Sequence, residues 1–119
     1  MGDRGNIVMK YQDGSKIFFY THWGGSYLKE TLKDALERSR DRWNDESYLA
    51  RIVFSEMIKD SVGDTTGYGI APYAPDNEHE HVIVNVAAKT ITEGENHYTF
   101  DDFCKEDWKA VREKSVSSW

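Results

Sequence analysis

Residues 7 to 20 constrain the fold most. Ile7, Met9 and Tyr11 alternate with Val8 and Lys10, Asp13-Gly14 supplies a turn, and Lys16-Ile17-Phe18-Phe19-Tyr20 continues in β-branched and aromatic residues. A period of two broken by Asp-Gly is the pattern of a β-hairpin. Ile17, Phe18 and Phe19 make the second strand apolar on both faces. That suits a strand inside a sheet, covered on two sides, better than an edge.

The period then changes. Leu28, Leu32, Ala35 and Leu36 recur among Lys, Glu and Asp, which predicts an amphipathic helix with Ser26 as N-cap and an end near Ser39 or Arg40. Asn44 or Asp45 caps a second helix whose broad apolar face is Leu49, Ile52, Val53, Phe54, Met57 and Ile58. A loop from Asp60 to Gly67 leads to a short strand, Tyr68-Gly69-Ile70, stopped by Pro72 and Pro75. His81 to Val86 reads as a buried strand, paired as a hairpin with Thr90-Ile91-Thr92. Thr99 with Asp102 resembles a capping box, and Tyr98 with Phe103 has the spacing of a hydrophobic staple, so a C-terminal helix starts at Phe100. The expected order is β-β-α-α-β-β-β-α. Elements in blocks favour an α+β fold: an antiparallel or mixed sheet with two or three helices packed on one face.

At 119 residues, 39% hydrophobic and 30% charged, the chain is expected to form a single domain over residues 1–119. Cys104 is the only cysteine and no Asn-x-Ser/Thr acceptor occurs, so a reducing cytoplasmic interior is expected. No apolar run approaches membrane-spanning length. The net charge of -6 argues against duplex nucleic acid as partner. Residues 1 to 60 carry ten Lys/Arg against ten Asp/Glu, and residues 61 to 119 five against eleven, so the excess acid lies in the second half. Arg38, Arg40, Arg42 and Arg51 form a basic island able to hold one or two phosphates.

Three segments carry candidate chemistry. In Tyr20-Thr21-His22-Trp23-Gly24-Gly25, Tyr20 and Trp23 offer flat faces, Thr21 and His22 offer hydrogen-bonding tips, and Gly24-Gly25 precede a helix start whose amides attract anions. These are parts of a nucleotide site; alternatively, Trp23 plugs the core and the glycines only turn the chain. Arg42-Trp43 joins the two helices, with Arg42 free to fork onto phosphate or onto Asp41 or Asp45, and Trp43 to stack a ligand or cap the core. Thr65-Thr66-Gly67-Tyr68 presents hydroxyls and amides beside an aromatic, fit for ribose or for an ordinary connection. The Walker lysine and the dinucleotide fingerprint are absent. His79 and His81 make a weak metal pair without a third ligand, and no nucleophile is tied to His22 by a motif. Neither a catalytic residue, nor a metal, nor a cofactor is expected.

The strings Tyr20-Thr21-His22-Trp23, Arg42-Trp43-Asn44-Asp45, Tyr48-Leu49-Ala50-Arg51-Ile52-Val53-Phe54 and Thr66-Gly67-Tyr68-Gly69-Ile70 resemble a family of small bacteriophage proteins of largely unassigned function. The chain is also similar in size and acidity to phage sponges that bind the cyclic nucleotide alarm signals of defence systems such as CBASS and Thoeris. The resemblance implies action in the cytoplasm of an infected bacterial host, by sequestering a nucleotide without cleaving it. Residue chemistry then gives Trp23 and Tyr20 to the base, Arg42 and the Gly24-Gly25 amides to phosphate, and Thr65 or Thr66 to ribose. A homo-oligomer is expected, because so small a domain encloses a ligand most readily between subunits; Tyr73, Trp108 or Trp119, read as exposed aromatics, are the candidate contacts. Two alternatives stand beside this reading: a small nucleotide-degrading enzyme using His22, and an inhibitor of a host protein whose acidic second half (Asp76-Asn77-Glu78, Glu93 to Glu95, Asp101-Asp102) mimics nucleic acid.

Overall fold

The computed structural model describes residues 2–74 and 77–117, with side chains through residue 114. Pro75, Asp76 and Trp119 therefore lie outside the described residues. Six strands and four helices follow in the order β1 Gly5–Lys10, β2 Lys16–Thr21, α1 Leu28–Arg38, α2 Glu46–Ile58, β3 Tyr68–Ala71, β4 Val82–Asn85, β5 Thr90–Glu93, β6 Asn96–Thr99, α3 Phe100–Lys105 and α4 Trp108–Ser117. The fold is α+β, with one more strand and one more helix than the eight-element order read from the sequence.

Both differences arise near the C-terminus. Asn96 to Thr99 pairs antiparallel with β5 before Thr99 caps α3. The same residues thus carry a strand and a helix signal, and the cap signal masked the strand. The expected single C-terminal helix breaks at Glu106, whose extended backbone separates α3 from α4. The Thr99 cap and the staple are both present: Thr99 accepts from the Asp102 amide at 3.0 Å, and the Tyr98 and Phe103 rings lie 5.8 Å apart.

One mixed sheet runs β3-β2-β1-β4-β5-β6. All pairings are antiparallel except β1 with β4, which puts Ile7 beside Val82 and Met9 beside Val84. The first hairpin forms as read, and β2 lies inside the sheet. Alternation sends Ile7, Met9, Phe19, Val82, Val84 and Ile91 to one face, where they share a buried core with Leu32, Leu36, Leu49, Val53, Phe100 and Phe103. The helices cover that face. On the other face, the chain returning from β3 to β4 lies against the sheet: His81 meets the edge of Phe18 at 5.6 Å, Asn6 donates to Asn77 at 3.4 Å, and the Glu78 amide donates to the Arg4 carbonyl at 2.9 Å. No helix among the described residues is long and apolar enough to cross a membrane.

Candidate functional site

The end of β2 and the start of β3 are sewn together. His22 N–H donates to the Gly67 carbonyl at 2.8 Å, Thr21 pairs with Tyr68, and the buried Thr21 hydroxyl accepts from the Gly24 amide at 3.0 Å. This brings the first and third candidate segments side by side. The Trp23 indole lies directly on Gly67: a Cβ there would stand 2.1 Å from the ring, and its φ of +98° already favours glycine. The His22 ring meets the indole edge-on at 5.3 Å, and its Nδ1 bonds the Tyr20 hydroxyl at 2.9 Å. Trp23 remains 52% exposed, so it is a fixed platform and not a core plug. Thr65 and Thr66 are exposed next to Gly67, while Tyr68 packs partly into the core. Beside the loop, Thr21, Gly24, Tyr27, Thr31, Met57 and Tyr68 line a recess of about 220 Å³.

The helix start is already occupied. Gly25–Tyr27 form a short 3-10 segment, and α1 has no side-chain cap of its own. Ser26 is therefore not the N-cap. Instead the Asp3 carbonyl accepts from the Gly25 amide and its carboxylate from the Ser26 amide, each at 2.8 Å. His79 Nε2 bonds the same carboxylate. Burial works to raise the Asp3 pKa, but the bonds from His79 and Ser26 outweigh it and hold it below the ordinary aspartate value. The Gly24 and Gly25 amides, expected to hold phosphate, thus serve Thr21 and Asp3. Gly25 is buried against His79, where a Cβ would stand 2.6 Å from the ring.

Arg42 and Trp43 do not join this site. They lie beyond the far end of α1, whose eleven residues span about 16 Å. Trp43 caps the core: its ring meets Phe100 edge-on at 5.2 Å and its Nε1 donates to the Leu36 carbonyl at 2.9 Å. Arg38 pairs with Glu56 at 3.2 Å and Arg40 with Asp101 at 3.0 Å. Arg42 stacks over Tyr48 at 5.0 Å, and neither it nor Arg51 makes an ion pair among the described residues. Asp45 caps α2, accepting from the Tyr48 amide.

A second hollow escaped the sequence reading. Between residues 25–30 and α4 runs a groove of about 490 Å³, lined by Tyr27, Lys29, Glu30, Glu93, Trp108 and Arg112 among others. Four of its charges pair off: Arg112 bonds Glu30 at 2.5 Å and stacks on Tyr27 at 4.4 Å, while Lys29 bonds Glu93 at 2.9 Å and lies over Trp108 at 4.9 Å. The helical spacing of Trp108 and Arg112 was the available signal, but their partners come from distant segments; Trp108, expected as an exposed contact between copies, is instead buried, its Nε1 donating to the Phe103 carbonyl at 2.9 Å.

The remaining candidates are structural in their surroundings. No group of three metal-ligating side chains occurs among the described residues. Cys104 is buried, and that burial pushes its thiol pKa up, which keeps it a thiol and a poor nucleophile. Of the proposed acidic mimic, Glu78 pairs with Arg4, Glu93 with Lys29 and Asp101 with Arg40. No family model, no curated protein and no solved structure matches this chain.

Proposed function

We propose that this protein binds a nucleotide and holds it without turnover, as a phage-encoded sponge for a cyclic nucleotide defence signal acting in the cytoplasm of the infected host. The observation that carries the reading is Trp23: a half-exposed indole, seated on Gly67, braced by His22 and flanked by the exposed hydroxyls of Thr65 and Thr66. A rigid aromatic with one open side stacks a base at little entropic cost, a contact worth about 1–3 kcal/mol per base. Tyr20 orients His22 through its hydroxyl, leaving His22 to meet the sugar or the base edge.

The recess beside the loop measures about 220 Å³, below the roughly 300–1,000 Å³ of pockets that bury a drug-sized ligand. A cyclic dinucleotide therefore needs a second wall, which fits a homo-oligomer. Phosphate, with the Gly24 and Gly25 amides engaged and Arg42 at the other end of α1, would be met by groups of a neighbouring copy.

The test is a calorimetry and thermal-shift panel of cyclic di- and trinucleotides and ADP-ribose derivatives, with the ligand recovered after heat denaturation. Intact ligand and a loss of affinity of about tenfold to a hundredfold in Trp23→Ala are expected. The absence of any binder in the panel overturns the proposal. A cleaved product would move the assignment to an enzyme, in which His22→Ala removes turnover and spares binding.

A further inference from the structure

We infer that two copies of this chain join through their β3 strands, edge to edge and antiparallel, with Gly69 on the two-fold axis. The inference supplies a surface for the homo-oligomer proposed above and does not depend on the ligand.

β3 is a sheet edge, short at four residues and followed by Pro72, but without a charged side chain to guard it. Edge strands avoid mispairing through charged side chains, cover by a helix, or bulges. From Thr65 to Pro75 no residue is charged, in a chain that is 30% charged. Ile70 is 59% exposed, and Tyr73 just beyond the strand is 67% exposed. The opposite edge differs: β6 is flanked by Glu95 and by Asp101 and Asp102, and runs straight into α3. An uncharged edge suits a second copy of an acidic chain, because like charges would otherwise face each other across the join.

The direction of the backbone groups supports a symmetric pairing. The Gly67 carbonyl faces β2, where it accepts from His22. Along a strand these groups alternate, so Gly69 also faces β2 while Tyr68 and Ile70 present N–H and C=O outward. In an antiparallel pair about a two-fold axis at Gly69, Tyr68 of one copy exchanges both bonds with Ile70 of the other, and the reverse. Pro72, which has no N–H, falls outside that exchange. The axis stands perpendicular to the sheet, so the helices of both copies stay on one face. Gly69 then has a role that its own chain does not give it: its φ is not left-handed, and a Cβ there meets nothing within 4 Å. Glycine inside a strand weakens it, and commonly marks close approach of another backbone. The same register brings Ala71 of the second copy up to Gly67, so the segment that follows it, with Tyr73, passes beside Trp23 and provides the second wall of the proposed site.

The experiment combines light scattering with crosslinking. The wild type is expected at twice the 13.8 kDa of one chain, shifting toward the monomer on dilution. Ile70→Lys and Tyr73→Lys are each expected at 13.8 kDa with unchanged circular dichroism, whereas His97→Lys on β6 stays dimeric. Under mild oxidation Gly69→Cys should link to itself, since directly opposed residues in a non-hydrogen-bonded pair approach to about 4.5 Å, within disulfide range; Gly14→Cys at the hairpin tip should not. A wild type that is monomeric from micromolar to millimolar concentration overturns the inference, and would leave the edge for a strand of another protein. A dimer that survives both lysine variants and shows no Gly69 crosslink also overturns it. Repeating the ligand panel on the Ile70→Lys monomer separates the two proposals. A monomeric wild type that still binds nucleotide leaves the function reading standing, and a dimer that binds none leaves the interface standing.

Discussion

Gly67 and Gly25 owe their identity to what stands against them, one to an indole and the other to an imidazole. Gly67→Ala is therefore expected to lower stability by at least about 1 kcal/mol from the left-handed backbone alone. The clash with Trp23 adds to this, and a shift in tryptophan emission reports the displaced ring. Asp3 makes the complementary prediction in charge. Its pKa is depressed in the folded state, so it stabilises the fold above the unfolded value and loses that contribution as pH falls through the folded one. Asp3→Asn should thus be less stable than wild type at neutral pH, and the gap should close on acidification below the ordinary 3.8. Urea melts at several pH values measure both. Sequence pointed to Trp23 and its glycines, but not to Asp3, and it offered His79 as half of a metal pair with His81, not as the partner of Asp3. A carboxylate that caps a helix from twenty-three residues away leaves no local pattern.

The segments that could be read were those whose signals are local. The Asp13-Gly14 hairpin, the Asp45 cap of α2 and the Thr99 cap of α3 each rest on residues within a few positions of one another. Thr99→Ala should cost about 1 kcal/mol and should lower the thermal midpoint with little change in core packing, checked by denaturant melts and near-ultraviolet dichroism. What misled was competition and distance. Thr99 belongs to a strand and a helix at once, and α1 draws its cap from the N-terminal segment. Likewise, Arg42 and Trp43 could join the Trp23 loop only if the chain folded back on itself, and the helix whose periodicity was legible between them holds the two ends about 16 Å apart.

The sheet joins two halves of the chain, β3-β2-β1 and β4-β5-β6, through the single parallel pair of β1 with β4. Ile7 is fully buried at that join beside Val82. Ile7→Ala should cost about 2–5 kcal/mol, and both halves should still melt in one transition, with circular dichroism and tryptophan emission coinciding. Class and layering could be read because they follow from periodicity, whereas strand order depends on long-range pairing. That pairing has a consequence during synthesis. β1 emerges from the ribosome with its hairpin partner close behind, but its other neighbour is made only after the two long helices and the return segment. The apolar edge of the first hairpin therefore waits, uncovered, until Val84 has cleared the exit tunnel, and this interval is when a nascent chain of this protein most needs a chaperone.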